Sequence, residues 1–334
     1  MKHLLIVTDA WAPQVNGVVR TLETVISHLR EDGMKVTVVS PDMFATVPLP
    51  VYPEIKLALF PRRKLARIFN QSNPDAVHIA TEGPLGWAAR RLCLKRKWRF
   101  TTSYHTKFPE YAKENAGIPL GLGYAVVKRF HAASSAMMVA TDSLQQDLCA
   151  RGFTNAVTWT RGVDTELFNP ERPKALDLPG PVAVYVGRIS VEKNIGRFLD
   201  LDLPGSKLVV GGGPQLESLR KQYPDVVFTG PKFGEDLAAH YASGDIFVFP
   251  SLTDTFGLVL LEAMACGLPV AAYPVTGPLD VLAGCDAAIL DHDLQAAAEG
   301  ALKADAKLAR VHAEKFSWRA CADLFRNNLI ACRA

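Results

Sequence analysis

The chain has 334 residues, more than the roughly 250–300 at which one hydrophobic core stops growing, so two domains are expected. A hydrophobic content of 49% with 21% charged residues excludes a disordered chain. The net charge of +3 hides an asymmetry: 21 Lys and Arg face 14 Asp and Glu up to residue 170, against 16 and 20 beyond it. The first half therefore carries a positive field that suits phosphate, anionic lipid or nucleic acid. The longest apolar runs, such as Ala136–Ala140 and Leu258–Leu261, fall far short of the ~20 residues of a membrane span. Six cysteines show neither a CxxC pair nor metal-ligand spacing, which points to reduced thiols in the cytoplasm.

Met1–Asp9 breaks after a short apolar run and reads as a first strand, a poor signal peptide. Leu4–Val7 is that strand, Ala10–Gly17 a loop, Val18–Leu29 a helix ended by Gly33, and Lys35–Val39 the next strand. Asp75–Ile79, Arg99–Ser103 and Met137–Ala140 repeat the buried-strand pattern. The polar, Pro-rich Asn169–Lys174 reads as a linker. A second cycle follows, with strands at Val182–Val186, Lys207–Val210, Val226–Phe228, Ile246–Phe249 and Pro269–Ala272. Its helices are expected at Asn194–Leu201, Gln215–Gln222, Gly234–Ala242 and Gly257–Cys266, and Leu294–Leu329 is helical with a break near Phe316–Trp318. The pattern predicts two doubly wound, Rossmann-like α/β domains facing across a cleft, with ligands at the carboxyl ends of the strands. The expected boundaries are residues 1–168 and 175–312, with 313–334 as a C-terminal helix packing back on the first domain; the resemblance described below implies that the first domain binds the acceptor and the second the nucleotide-sugar donor.

After the strand Ile246–Phe249 the chain reads Pro250-Ser-Leu-Thr-Asp-Thr-Phe-Gly257 and then enters a helix. A helix start offers unpaired amides and a partial positive charge, and a glycine there lets a phosphate come close. Asp254 and Glu262 lie eight residues apart, able to address one ligand at the helix start; on spacing alone a cap and an exposed helix acid serve equally well. The frame Asp254-Thr-Phe-Gly-Leu-Val-Leu-Leu-Glu262-Ala-Met-Ala-Cys-Gly-Leu-Pro-Val resembles the signature of the family 4 retaining glycosyltransferases, which have the GT-B fold. That signature usually opens with Glu where this chain has Asp254, so the identity of the sugar stays open.

The resemblance extends over nearly the whole chain. Gly187-Arg188 with Lys193-Asn194 matches an element whose cations are expected to hold the donor diphosphate. Gly211–Gly213 matches a glycine turn, and Gly230-Pro-Lys232-Phe233 a loop that contacts the base. By the same resemblance Glu262 takes the ribose, Asp254 the transferred sugar, and the amides near Gly257 and Leu258 the phosphates. In the first half, Gly17 matches a glycine loop directed at the diphosphate, and His105, after a strand, matches a histidine beside the transferred sugar. Its implied role is hydrogen bonding or alignment, not that of a base. The catalytic set is thus Asp254, Arg188, Lys193 and His105; Gly17, Lys232, Phe233, Gly257, Leu258 and Glu262 bind the nucleotide. Arg161–Pro170 matches the interdomain joint, and Phe316-Ser-Trp318 the last turn, where the final helix crosses back to the first domain.

No cofactor is expected beyond the nucleotide sugar itself. Asp200-Leu-Asp202 and Asp291-His-Asp293 have the Asp-x-Asp form of a metal site, but neither ends a strand at the cleft, so both read as surface pairs. Basic residues cluster at 62–67 and 90–99, where Leu92, Leu94 and Trp98 interleave with the second cluster. Such segments suggest an anionic membrane surface and a peripheral place on the inner face of the membrane. No motif points to nucleic acid. The implied activity is retaining hexosyl transfer from GDP-mannose or a UDP-hexose to a lipid-linked or glycolipid acceptor. An epimerase or hydrolase of the same fold, and a non-catalytic nucleotide- or lipid-binding protein, are the rival readings.

Overall fold

The computed structural model describes residues 1–14, 16–49, 55–252 and 254–333. Its contacts divide the chain into two compact units, Met1–Thr160 with Arg319–Ala334, and Arg161–Trp318.

The first unit opens with β1 (His3–Val7), α1 (Gly17–Glu31) and β2 (Lys35–Val39), followed by a hairpin of β3 (Thr46–Pro48) and β4 (Lys56–Ala58). It continues through α2 (Arg62–Ser72), β5 (Ala76–Ile79), α3 (Pro84–Arg96), β6 (Thr101–Tyr104), α4 (Phe108–Ala116) and α5 (Leu120–His131). β7 (Ala136–Val139), α6 (Asp142–Ala150) and β8 (Ala156–Thr158) complete the strand–helix cycle. Six of these strands form one parallel sheet in the order β2-β1-β5-β6-β7-β8. β5 and the wholly apolar β7 are buried along their whole length, which fits a sheet covered on both faces. α1 starts where it does because the Asn16 side chain accepts hydrogen bonds from the amides of Val18 and Val19. It stops at Gly33, which takes φ +80.

The second unit runs β9 (Val182–Val186), α7 (Ile195–Leu199), β10 (Ser206–Val210), α8 (Leu216–Gln222), β11 (Val227–Gly230) and α9 (Gly234–Tyr241). Then come β12 (Ile246–Phe249), α10 (Leu258–Ala265), β13 (Val270–Ala272), α11 (Thr276–Val281) and β14 (Ala288–Leu290). α12 (Leu294–Ala301) and α13 (Ala306–Ala313) follow. Its parallel sheet has the order β11-β10-β9-β12-β13-β14. The chain fills one side of β9 with β10 and β11, then crosses to the other with β12. The winding reverses between β9 and β12, the position at which open α/β sheets bind ligands beyond the carboxyl ends of their strands. In the first unit the reversal falls between β1 and β5.

The last helix, α14 (Trp318–Asn328), belongs to the first unit from Arg319 onward. Phe325 is fully buried, with its ring 4.8 Å from that of His78 and 4.9 Å from that of Trp159. The Trp159 indole donates to the Cys321 carbonyl at 3.1 Å. The expected helix over 294–329 breaks twice, once near Ser317 and once more after Ala301. The segment 161–174, assigned from the sequence to the first domain's end and a linker, packs within the second unit. Arg310 on α13 pins it by donating to the carbonyls of Thr165, Phe168 and Ala265. Gly162 lies so close to the backbone of Trp318 that a Cβ would fall 2.3 Å from its nitrogen.

Candidate active site

A cluster of polar groups in the second unit lies where the winding reverses. After β9 the chain turns through Gly187-Arg188 to Asn194, which takes the left-handed conformation (φ 54) and donates through its amide to the Pro250 carbonyl at 3.1 Å. This bond ties the β9 loop to the β12 loop. Lys193 and Asp254, one from each loop, thereby meet at 2.5 Å between Nζ and Oδ1. The other Asp254 oxygen is buried with no hydrogen-bond partner among the described residues, and so are the hydroxyls of Ser190 and Ser251. Buried polar atoms normally find partners, so their concentration on these loops marks a place built to meet a polar group.

Three loops are stacked at this edge. Gly187 donates to the Val210 carbonyl at 3.0 Å, Ile189 to that of Gly212 at 2.9 Å, and Gly211 to that of Gly230 at 3.0 Å. A Cβ on Gly211 would stand 1.9 Å from the Gly187 carbonyl oxygen, and one on Gly213 would stand 2.3 Å from that of Ile189. The glycine turn is thus a close approach of backbones. Tyr185 donates to the Arg188 carbonyl at 2.7 Å and fixes that turn. Burial, followed by the nearby Asp254 and Glu192 carboxylates, pushes the Tyr185 phenol well above its ordinary value, so it remains a donor. The Arg188 guanidinium lies 3.9 Å from Glu192.

Gly257 precedes α10 with φ +85, and a Cβ there would crowd Leu260 and Phe249. The first amides of α10, Leu258 and Val259, lie at the helix start, where no carbonyl of the helix itself can accept from them, and Gly257 offers no side-chain cap. Glu262, one turn on, is buried rather than a solvated helix acid, and it accepts from the Tyr241 hydroxyl of α9 at 3.1 Å. Gly277 lets α11 approach from beneath: a Cβ there would meet the Asp254 carbonyl oxygen at 2.9 Å.

The structure therefore brings Arg188, Lys193, Asp254, Gly257, Leu258 and Glu262 to one edge. Lys232 and Phe233 follow β11, two strands away and so about 10 Å to the side. Lys232 pairs with Asp236 at 3.1 Å, and Phe233 is 56% exposed. Gly17 and His105 lie in the first unit, Gly17 exposed as the first residue of α1. His105 follows β6, its Nε2 2.8 Å from the Ser103 hydroxyl and its ring edge-on to Trp159. Val15 and Thr253, which belong to the motifs quoted above, lie outside the described residues.

Sequence reasoning missed several groups. Tyr241 sits on a helix with no motif, so nothing in the sequence announced its bond to Glu262. Asp9, at the end of β1, caps α3: its carboxylate accepts from the amides of Leu85 and Gly86 and from the Thr81 hydroxyl. Burial raises the Asp9 pKa despite those bonds. The Asp-x-Asp pairs are spent locally. Asp200 accepts from Tyr223, Asp291 from the Asp293 amide, and Asp293 caps α12. Among the described residues no group of three or more His, Cys, Asp or Glu could hold a metal ion.

The profile described as "Glycosyltransferase Family 4" matches residues 15–167, and "Glycosyl transferases group 1" matches 180–304. A "GDP-mannose-dependent alpha-mannosyltransferase" of Mycobacterium tuberculosis is 30% identical over 311 residues, covering 84% of this chain and 81% of that protein. The chain belongs to glycosyltransferase family 4. A second relative of this family 4 glycosyltransferase, the "Sulfoquinovosyl transferase" of Arabidopsis thaliana, is 30% identical and covers 94% of this chain and 70% of its own. Among solved structures, the sucrose-phosphate synthase of Thermosynechococcus elongatus superposes with a TM-score of 0.78. It is 20% identical and covers 98% of this chain and 99% of its own. That likeness supports the GT-B fold of this hexosyltransferase.

Proposed function

We propose that the chain transfers a mannosyl or related hexosyl unit from a nucleoside diphosphate sugar, GDP-mannose before a UDP-hexose, to a lipid-linked or glycolipid acceptor. The Lys193–Asp254 pair beside the start of α10 carries this reading. Arg188, Lys193 and the amides of Leu258 and Val259 present positive charge where a diphosphate would leave, which lowers the cost of breaking the glycosidic bond without help from a metal. Asp254 accepts from the hydroxyls of the transferred sugar, and Glu262, held by Tyr241, from the ribose. Lys232 and Phe233 flank the base, Gly17 approaches the diphosphate, and His105 aligns the sugar. With both acids committed to binding, no nucleophile is left for a double displacement. The acceptor then attacks on the face from which the diphosphate departs, and configuration is retained.

The preference for a mannosyl donor is supported by relatives named as GDP-mannose-dependent, in Mycobacterium tuberculosis and Mycolicibacterium smegmatis. A glycolipid acceptor is supported by the relative named "Alpha-monoglucosyldiacylglycerol synthase" in Streptococcus pneumoniae. Contact with an anionic membrane falls to the first basic cluster. Phe60, 92% exposed and held out by a left-handed backbone (φ 47), stands just before the exposed Arg62, Arg63, Lys64 and Arg67. In the second cluster Arg90 donates to the carbonyls of Phe130 and Arg129 and Arg96 lies over the Trp98 ring, whereas Arg91, Lys95, Lys97 and Arg99 are exposed.

Replacing Lys193 by Ala tests the role of the pair. The account expects kcat to fall about 10²-fold or more, the size of a lost transition-state contact. Activity within about twofold of the parent would refute charge neutralisation by this residue.

A further inference from the structure

The core of the first unit holds a chain of protic side chains that ends on His105. Ser103, the third residue of β6, is fully buried. Its hydroxyl meets the Ala80 carbonyl at 3.2 Å, His78 Nε2 at 3.2 Å and His105 Nε2 at 2.8 Å. His78 stands on the neighbouring strand β5, with its Nδ1 2.9 Å from the Thr101 hydroxyl. We propose that Ser103 and His78 are positioning residues that together fix His105 as the Nε2–H tautomer, so that its Nδ1 accepts from a hydroxyl of the transferred sugar. The proposal rests on the reading of His105 as the residue that aligns that sugar.

The number of protons sets the tautomer. A hydroxyl has one hydrogen to give and two lone pairs with which to accept. A carbonyl only accepts, so the bond to Ala80 takes the Ser103 hydrogen. Both ring nitrogens beside the hydroxyl must then donate, and each ring carries a proton on Nε2. Turning the hydroxyl toward either ring would give up the Ala80 bond inside the core, where a lost bond is costly. His78 fits the same scheme. Burial, then the nearby His131, pushes its pKa down to about 3, so at neutral pH it holds a single ring proton. With that proton on Nε2, its Nδ1 accepts from Thr101, and each bond of the chain has one donor and one acceptor.

The plane of the His105 ring is fixed separately. The Trp159 ring lies 5.7 Å away at 68° to it, and the Trp159 indole is itself tied to the Cys321 carbonyl of α14 at 3.1 Å. With Nε2 committed to Ser103, a sugar hydroxyl can meet only Nδ1, which in this tautomer is an acceptor. The contact therefore demands a free hydroxyl on the donor sugar and discriminates against a deoxy or O-alkylated sugar at that position.

Long-range proton–nitrogen correlation spectra of the protein labelled at its histidine rings read the tautomer directly, and the His105→Gln variant assigns the signals. At about pH 8, above the ordinary histidine pKa, His105 is expected to show a protonated Nε2 and an unprotonated Nδ1. Ser103→Ala should move that population toward Nδ1–H and lower kcat for transfer from GDP-mannose about tenfold. GDP affinity, measured by calorimetry, should stay within about twofold. A protonated Nδ1 in the parent protein overturns the proposal, and that spectrum decides the tautomer even if the variant fails to fold. An unchanged tautomer in Ser103→Ala also overturns it, as does a shifted tautomer with kcat within about twofold of the parent's. Should the parent show the Nε2–H tautomer yet neither bind GDP nor turn over GDP-mannose, the hydrogen-bond chain stands and the donor reading falls.

Discussion

The Lys193 ammonium and the Asp254 carboxylate reach the same point because they leave neighbouring strands, β9 and β12, and because Asn194 ties their loops together. Asp254 is shorter than the Glu usual at its position, yet it reaches Lys193 at 2.5 Å. The partner residues are less visible in sequence. Tyr241 restrains Glu262 through a single hydroxyl, so Tyr241→Phe should raise the KM for the nucleotide sugar about three- to tenfold and leave kcat nearly unchanged. Steady-state kinetics with varied donor would show this, and an equal fall in kcat would refute a pure binding role. His78 behaves differently. Its ring is fully buried between the Thr101 and Ser103 hydroxyls, and burial, aided by His131, pushes its pKa down to about 3. The unfolded chain takes up this proton below about pH 6.5 and the folded one does not, so stability is complete above that pH and is lost as pH falls toward 3. Between pH 6.5 and 5 this amounts to about 2 kcal/mol, measurable by urea unfolding. The His78→Gln variant should lack that part of the pH dependence; an unchanged pH slope would contradict it.

At the scale of elements, the strands that carry the site were legible because they are buried on both faces and therefore read as unbroken apolar runs. β9 and β12 fall where expected to the residue. The short elements were not legible. β14 is only half-buried, β8 has three residues, and the β3–β4 hairpin contains Pro48, which argues against a strand. The proposed donor residues were legible from their motif, whereas their mutual contacts were not, since these depend on which loops the sheet order makes neighbours. The glycine turn Gly211–Gly213 illustrates this. Its sequence predicts a turn, but only the fold shows the Gly187 and Ile189 carbonyls pressed against it. A Gly211→Ala substitution adds a Cβ into that contact and strains a φ of +150, so it should destabilise the second unit by about 2–4 kcal/mol. Thermal or urea unfolding of the variant measures this, and a loss below about 1 kcal/mol would mean that the three loops are not stacked as described.

For the molecule as a whole, two parallel sheets, wound 2-1-3-4-5-6 and 3-2-1-4-5-6, each carry a set of loops at their carboxyl edge, and the repeated strand–helix alternation of the sequence made that architecture legible. The exact division did not follow from composition. The polar stretch 169–174 looks like a linker, yet Arg310 binds the adjoining carbonyls and draws the segment into the second unit. In the proposed reading, the positive field of the first half and the exposed Phe60 beside Arg62–Lys64 suit the first unit to an anionic bilayer, where a lipid-borne acceptor would be met. The proposed transfer to such an acceptor would distinguish this protein from an epimerase or hydrolase of the same fold. The most direct test is the release of GDP from GDP-mannose by the intact protein, followed with and without a glycolipid extract in anionic vesicles. The account predicts release that depends on the extract and is matched by mannose incorporated into lipid with retained configuration. Equal release with and without the extract, and no sugar found in lipid, would contradict it.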